Sequence, residues 1–163
     1  MNRAASMATW VLRLIVGGVF LAAGLLKLRD PTAFALEVTN YRLAEGLAPY
    51  VAVALPPVEV AVGVSVLALP EEWRRAGAVC AALILLAFTA LVAATVLRGI
   101  NVSCGCFGTG TGPVTWLTVV RDAVLFASAA ALVALLTQRG TRQGEGCYAT
   151  RMRRRSSPRN TRS

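Results

Sequence analysis

The chain has 163 residues, of which 56% are hydrophobic and only 15% are charged, with a formal net charge of +9. Soluble domains carry about 25% charged residues, so this composition argues against an ordinary soluble fold. The sequence contains no histidine, which excludes histidine-ligated haem, histidine metal sites and histidine general-base catalysis.

The first apolar run covers residues 7–28 and is long enough to cross a bilayer, which takes about 20 apolar residues. It contains Gly17, Gly18 and Gly24, small residues that favour close helix packing in lipid. A cleaved signal peptide is the alternative, but its apolar core would have only about 7–15 residues. We therefore interpret this run as a retained membrane helix.

Three further apolar runs of spanning length follow the first. They are residues 47–69, 76–97 and 116–136, and residues 29–46 between the first two runs are predicted to form a loop. A charge at the centre of a bilayer costs about 2.5–3.5 kcal/mol, so Glu59 in the second run is a candidate functional residue, with a protonated acid hydrogen-bonded to a neighbouring helix as the alternative. Arg121 in the fourth run is a candidate cation near the outer end of the bundle, with snorkelling to lipid headgroups as the alternative. The four runs predict an all-α integral membrane four-helix bundle over residues 1–137.

Glu59 has a candidate partner in the first run. Glu59 and Gly63 share a helix face, and so do Gly24 and Lys27 on the preceding helix. The pattern favours a Lys27–Glu59 ion pair, with snorkelling of Lys27 to water as the alternative. Arg121 and Asp122 are adjacent in sequence and are expected to point in different directions, one of them towards the bundle.

Basic residues predict the orientation of the bundle in the plasma membrane. Arg3, Arg74, Arg75 and the arginine-rich residues 138–163 fall on one side, which is far more basic than the other. The positive-inside rule then predicts a multi-pass protein with both termini in the cytoplasm. Residues 138–163 are predicted to form a disordered basic tail. No motif supports a nucleic-acid partner, and the lipid bilayer is the expected environment.

The four cysteines lie in three different parts of the chain. Cys104 and Cys106 lie in the glycine-rich segment between the third and fourth runs, on the predicted outer side. Cys80 lies about 25 Å along the third helix from that segment, too far for a disulfide, and Cys147 is in the tail. Cys104 and Cys106 therefore have each other, or a thiol of another protein, as partners.

A bridge across Gly105 would close a very small ring, and strained exposed disulfides tend to be labile or catalytic. A redox-active pair is favoured, and an inert pair stays open. We predict no metal site, because two thiolates do not complete a zinc shell.

Several short motifs occur in an order typical of one family. They are Phe20…Gly24…Lys27, Asp30-Pro31…Phe34…Tyr41, Pro56…Glu59…Gly63, Cys104-Gly105-Cys106-Phe107-Gly108 and Arg121. With them, residues 8–137 resemble the methylamine-utilisation MauE family, which is related to the DoxX-like four-helix membrane proteins. The resemblance implies a role in methylamine metabolism, where such proteins assist maturation of a disulfide-rich periplasmic dehydrogenase subunit.

Two functional hypotheses follow. In the first, the chain is a thiol–disulfide oxidoreductase that assists disulfide formation in an exported client. Cys104 and Cys106 form its redox pair, Glu59 relays protons and Arg121 stabilises a thiolate. A membrane quinone is the candidate cofactor, although no cofactor-binding residue is identified. In the second, the chain is a non-enzymatic membrane subunit that docks a partner or carries a small substrate.

Overall fold

The computed structural model describes residues 3–40, 46, 48–99 and 115–156; the side-chain surroundings of residues 4, 5, 40, 48 and 139–156 lie outside that description. This part of the chain forms five helices. They are α1 (Arg3–Arg29), α2 (Pro31–Asn40), α3 (Ala48–Ala68), α4 (Glu71–Leu97) and α5 (Trp116–Ser156). All regular secondary structure in the described part is helical, which confirms the all-α prediction.

Four of the described helices are long and apolar enough to cross a membrane. The candidate spans are Ser6–Arg29, Pro49–Ala68, Glu71–Leu97 and Trp116–Gln138, with mean hydropathies between 2.0 and 2.6. The prediction of four helices long enough to span a membrane is thus confirmed. The third begins five residues earlier than predicted, because Glu71 and Glu72 occupy the first turn of α4 and favour a helix N-terminus there.

The four spanning helices close into a ring. Helix α1 packs against α3 and α5, and α4 packs against α5 and α3. The core contains Phe20 of α1, Val66 of α3, Leu85 of α4 and Leu132 of α5, each at most 9% exposed. Many large apolar side chains face outward instead, among them Leu83 at 61% exposure. An apolar outer surface of this kind matches a bilayer environment.

Glycine sets the distance between α1 and α3. A Cβ atom on Gly63 would lie 2.8 Å from the backbone nitrogen of Leu21, and one on Gly24 would lie 2.9 Å from the carbonyl oxygen of Pro56. Neither position accommodates a side chain without moving backbone. The two helices therefore approach backbone to backbone, as small residues allow in membrane proteins.

Arg13 joins α1 to the last turn of α3. Its Nε donates to the carbonyl oxygen of Val66 at 3.1 Å, and its Nη2 donates to that of Leu67 at 2.6 Å. Carbonyls in the last turn of a helix have no partner within that helix. The buried guanidinium thus satisfies these groups and orients the end of α3.

Helix α2 lies where the sequence interpretation placed only a loop, residues 29–46. Its start has the chemistry of a helix N-terminus, because Asp30 Oδ1 accepts hydrogen bonds from the Ala33 backbone N–H at 3.0 Å and the Thr32 hydroxyl at 2.8 Å. The Ala33 hydrogen bond lowers the pKa of Asp30. Phe34 packs with Ala52 of α3, so α2 lies against the first half of α3.

Helix α5 is longer than the fourth predicted span. Its candidate span ends at Gln138, but the helix continues to Ser156. The backbone is therefore helical over much of the segment predicted to be disordered. The division into a membrane domain of residues 1–137 and a separate tail of residues 138–163 stays a prediction.

Candidate functional site

Lys27 and Glu59 form a buried ion pair between α1 and α3. Lys27 Nζ lies 2.5 Å from Oε1 and 2.7 Å from Oε2 of Glu59, and the two side chains are 3% and 8% exposed. The close approach at Gly24, one turn before Lys27, brings the two helices near enough for this contact. Lys27 therefore turns into the bundle and does not snorkel to water.

Helix α2 adds two side chains beside this ion pair. Lys27 Nζ lies 5.1 Å from the centre of the Phe34 ring, within range of a cation–π interaction. Glu37 is 9% exposed, and its Oε2 has no hydrogen-bond partner among the described residues. Burial raises the pKa of Glu37, and the charge of Lys27 opposes that rise.

The sequence interpretation missed Glu37, because it treated residues 29–46 as a loop. A signal was present. Phe34, Glu37 and Val38 follow the i, i+3, i+4 spacing of one helix face, and all three are buried. An acidic residue on an otherwise apolar helix face is a candidate functional residue.

Arg121 and Asp122 interact directly on the second turn of α5. Arg121 Nε and Nη2 donate to Asp122 Oδ1 at 3.0 and 2.9 Å. The expectation that the two side chains diverge was wrong, because the long arginine side chain folds back over its neighbour. Asp122 is 3% exposed, and its Oδ2 has no hydrogen-bond partner among the described residues.

These charged groups line one cavity of about 270 Å³ within the bundle. Its polar part consists of Lys27, Glu59, Arg121 and Asp122. The rest of its wall is apolar and comes from all four spanning helices: Val19, Phe20, Ala23, Leu55, Ile84, Leu85, Ala87, Phe88, Leu91 and Leu125. The cavity lies towards the end of the bundle where α1 and α4 end and α3 and α5 begin.

The structure thus brings two of the four predicted site residues, Glu59 and Arg121, to a single cavity. The other two, Cys104 and Cys106, lie outside the described residues. Cys80 is a free, exposed cysteine in the first half of α4, towards the opposite end of the bundle. Within the described part of the chain, no three histidine, cysteine or acidic side chains are grouped as metal ligands would be.

Four apolar spanning helices around a cavity with paired charges define an integral membrane helical bundle with an internal polar site. A family model described as methylamine utilisation protein MauE matches residues 5–136 of this chain. The chain belongs to that family, as its motifs indicated.

Two relatives have the same name, methylamine utilization protein MauE. The protein from Paracoccus denitrificans is 43% identical over 129 residues, covering 77% of this chain and 68% of the relative. The protein from Paracoccus versutus is 37% identical over 130 residues, covering 78% of this chain and 69% of the relative. No solved structure matches the chain significantly.

Proposed function

We propose that this chain is a membrane maturation protein of methylamine utilisation that assists disulfide formation in an exported client. Cys104 and Cys106 are its redox pair. The name of the family and of its Paracoccus relatives supports the pathway. The observation that carries the chemical role is the charged cavity at the end of the bundle from which α4 leads into the cysteine segment.

The helix ends support a position for the cysteine segment in this proposal. Helix α4 ends at Leu97 and α5 begins at Trp116, both at the cavity end of the bundle. Arg74 and Arg75 lie at the opposite end, in the first two turns of α4. By the positive-inside rule we assign that opposite end to the cytoplasm and the cysteine segment to the oxidising outer side.

The proposed reaction is thiol–disulfide exchange. A thiolate of the client attacks one sulfur of the Cys104–Cys106 disulfide and forms a mixed disulfide, while the other sulfur leaves as a thiolate. A second client thiolate then attacks the mixed disulfide. The client gains one disulfide bond, and the pair takes up two electrons and, with two protons, becomes a dithiol.

Arg121 and Glu59 support this chemistry in the proposal. Arg121 lies two turns or less from the start of α5, and a nearby cation favours the thiolate form of a leaving cysteine. Glu59 is a carboxylate in the same cavity and exchanges protons there through its hydrogen bonds with Lys27. Both residues act as supporting groups rather than as nucleophiles.

The test replaces each cysteine with serine and measures the redox state of exported proteins by alkylation trapping. We expect Cys104→Ser and Cys106→Ser each to leave client thiols reduced. Cys80→Ser is the matched control, because Cys80 is an exposed thiol towards the other end of the bundle. Client disulfides that form normally with both variants, at equal membrane levels, would favour the non-enzymatic subunit that docks a partner or carries a small substrate.

A further inference from the structure

The cavity has two chemically distinct parts. Most of its wall is apolar, including the aromatic side chains of Phe20 and Phe88. Its charged groups are two acids and two bases, joined as the pairs Lys27–Glu59 and Arg121–Asp122. The charges cancel within each pair. The cavity therefore suits an electrically neutral ligand with an apolar body and a polar end.

One lining residue that is exposed on the outside of the bundle indicates from where such a ligand enters. Ala87 lines the cavity and is also exposed on the outside of the bundle. It lies near the middle of the span Glu71–Leu97, at the depth of the hydrocarbon core. We infer that the ligand enters beside Ala87, from the bilayer and not from water. The ligand is thus soluble in the membrane.

The polar end specifies the head group of the ligand. Asp122 Oδ2 is a buried acceptor without a partner among the described residues, so it favours a ligand that donates a hydrogen bond. The guanidinium of Arg121 lines the same cavity and carries only donors. An anionic head such as a fatty-acid carboxylate would instead meet the carboxylates of Asp122 and Glu59.

We propose that this cavity binds the head group of a membrane quinone, with Asp122 Oδ2 accepting a hydrogen bond from a hydroxyl of the reduced form. A quinol is neutral, its hydroxyls donate, and its aromatic ring is compatible with a wall that includes Phe20 and Phe88. Its prenyl tail remains in the bilayer beyond Ala87.

The bound quinone completes the redox cycle, and this step rests on the proposed function. Two S–H bonds of Cys104 and Cys106 break, one S–S bond forms, and two electrons and two protons pass to the quinone, which leaves as quinol. The quinone is thus the oxidant that restores the disulfide. Binding itself depends only on the described residues of the cavity.

The test measures binding of decylubiquinol to the purified full-length chain in lipid nanodiscs by equilibrium dialysis. We expect Ala87→Phe, which fills the opening, to weaken binding by about tenfold or more. Ala90→Phe is the matched control, because Ala90 is exposed on α4 but does not line the cavity. The Ala90→Phe variant should bind decylubiquinol with an affinity within about twofold of that of the wild type.

A second pair of variants tests the polar end. Asp122→Asn should weaken decylubiquinol binding roughly tenfold, because it removes the buried acceptor. Glu71→Gln, at the end of α4 far from the cavity, should leave binding unchanged. Decanoic acid, which has an anionic head group, should compete poorly with decylubiquinol for the cavity. Equal competition by decanoic acid, or equal binding by Ala87→Phe and Ala90→Phe, would overturn the proposal.

The redox assignment of the cysteines and the quinone site can be contradicted independently of each other. Decylubiquinol binding should persist in the Cys104→Ser/Cys106→Ser double variant, because the contacts proposed for binding come from Asp122, Arg121 and the apolar wall of the cavity. If that variant binds decylubiquinol and client disulfides form normally, the redox assignment is wrong and the site stands. If wild type binds no decylubiquinol while client oxidation depends on both cysteines, the quinone site is wrong and the redox assignment stands.

Discussion

Lys27 and Glu59 meet inside the bundle from two different helices, with Lys27 Nζ at 2.5 and 2.7 Å from the two carboxylate oxygens. Both oxygens of one acid are engaged by a single ammonium group. Because neither side chain is more than 8% exposed, each charge depends on the other for compensation. This pair joins α1 to α3 and forms part of the wall of the cavity.

Removal of one partner should destabilise the protein strongly. Lys27→Met leaves the Glu59 carboxylate buried without its cation, and such a change costs about 3–5 kcal/mol. The double variant Lys27→Met/Glu59→Leu should recover much of that loss, because no charge is left uncompensated. Denaturant unfolding in detergent micelles measures both. Equal losses of unfolding free energy in the single and double variants would show that packing, and not charge, dominates the contribution of this pair to stability.

The control for that measurement is the Arg75–Glu71 pair, whose atoms lie 3.3 Å apart with both side chains 36% exposed. Exposed ion pairs of this kind contribute about 0–1 kcal/mol. Glu71→Gln should therefore change the free energy of unfolding far less than Lys27→Met.

The backbone contact at Gly63 should not tolerate a methyl group. Gly63→Ala places a Cβ 2.8 Å from the Leu21 nitrogen, so α1 and α3 must separate, at a cost of about 1–3 kcal/mol. Gly18→Ala is the matched control, because a Cβ there meets nothing within 4 Å. It should leave the thermal midpoint unchanged or raise it slightly. A similar fall in both variants would contradict this account of the contact.

We expect the hydrogen bonds of Arg13, and not only its charge, to stabilise the end of α3. Arg13→Met removes both hydrogen bonds to the carbonyls of Val66 and Leu67, and we expect a loss of roughly 1–3 kcal/mol. Arg13→Lys keeps the charge but not the planar fork, so it should restore only part of the stability. Denaturant unfolding gives the comparison. Full rescue by lysine would mean that charge alone matters.

Glu37 should make stability depend on pH. Burial raises its pKa, so the native protein retains a proton that the unfolded chain has already lost. The resulting stabilisation is present below the ordinary glutamate pKa and is lost as the pH rises through the raised value. We expect Glu37→Gln to flatten the fall in unfolding free energy above about pH 4. Glu72→Gln, at an exposed position, should retain the wild-type slope.

Much of the fold was predictable because bilayer thickness fixes the length of a spanning helix. The Lys27–Glu59 contact was also accessible, since helical spacing places Gly24 and Lys27 on one face and Glu59 and Gly63 on another. Helix α2 was not, because ten residues between two spans are too short for a hydropathy signal. The available clues were its Asp30-Pro31 start and the helical spacing of Phe34, Glu37 and Val38.

The interaction between Arg121 and Asp122 was hidden for a different reason. Adjacent helical residues have diverging Cβ directions, but the arginine side chain is long enough to curl back to its neighbour. Sequence spacing describes where side chains leave the helix and not where flexible ones end. The cavity was equally hidden, because its wall combines residues from four helices whose arrangement depends on packing.

The most direct test of the central claim is thiol labelling of Cys104 and Cys106 in a Cys80→Ser/Cys147→Ser background. A membrane-impermeant maleimide is added to spheroplasts before and after a reductant. The proposal predicts that labelling from outside increases after reduction, since the pair is at least partly a disulfide on the outer side. Labelling only after the membrane is permeabilised, or labelling that a reductant never increases, would contradict it.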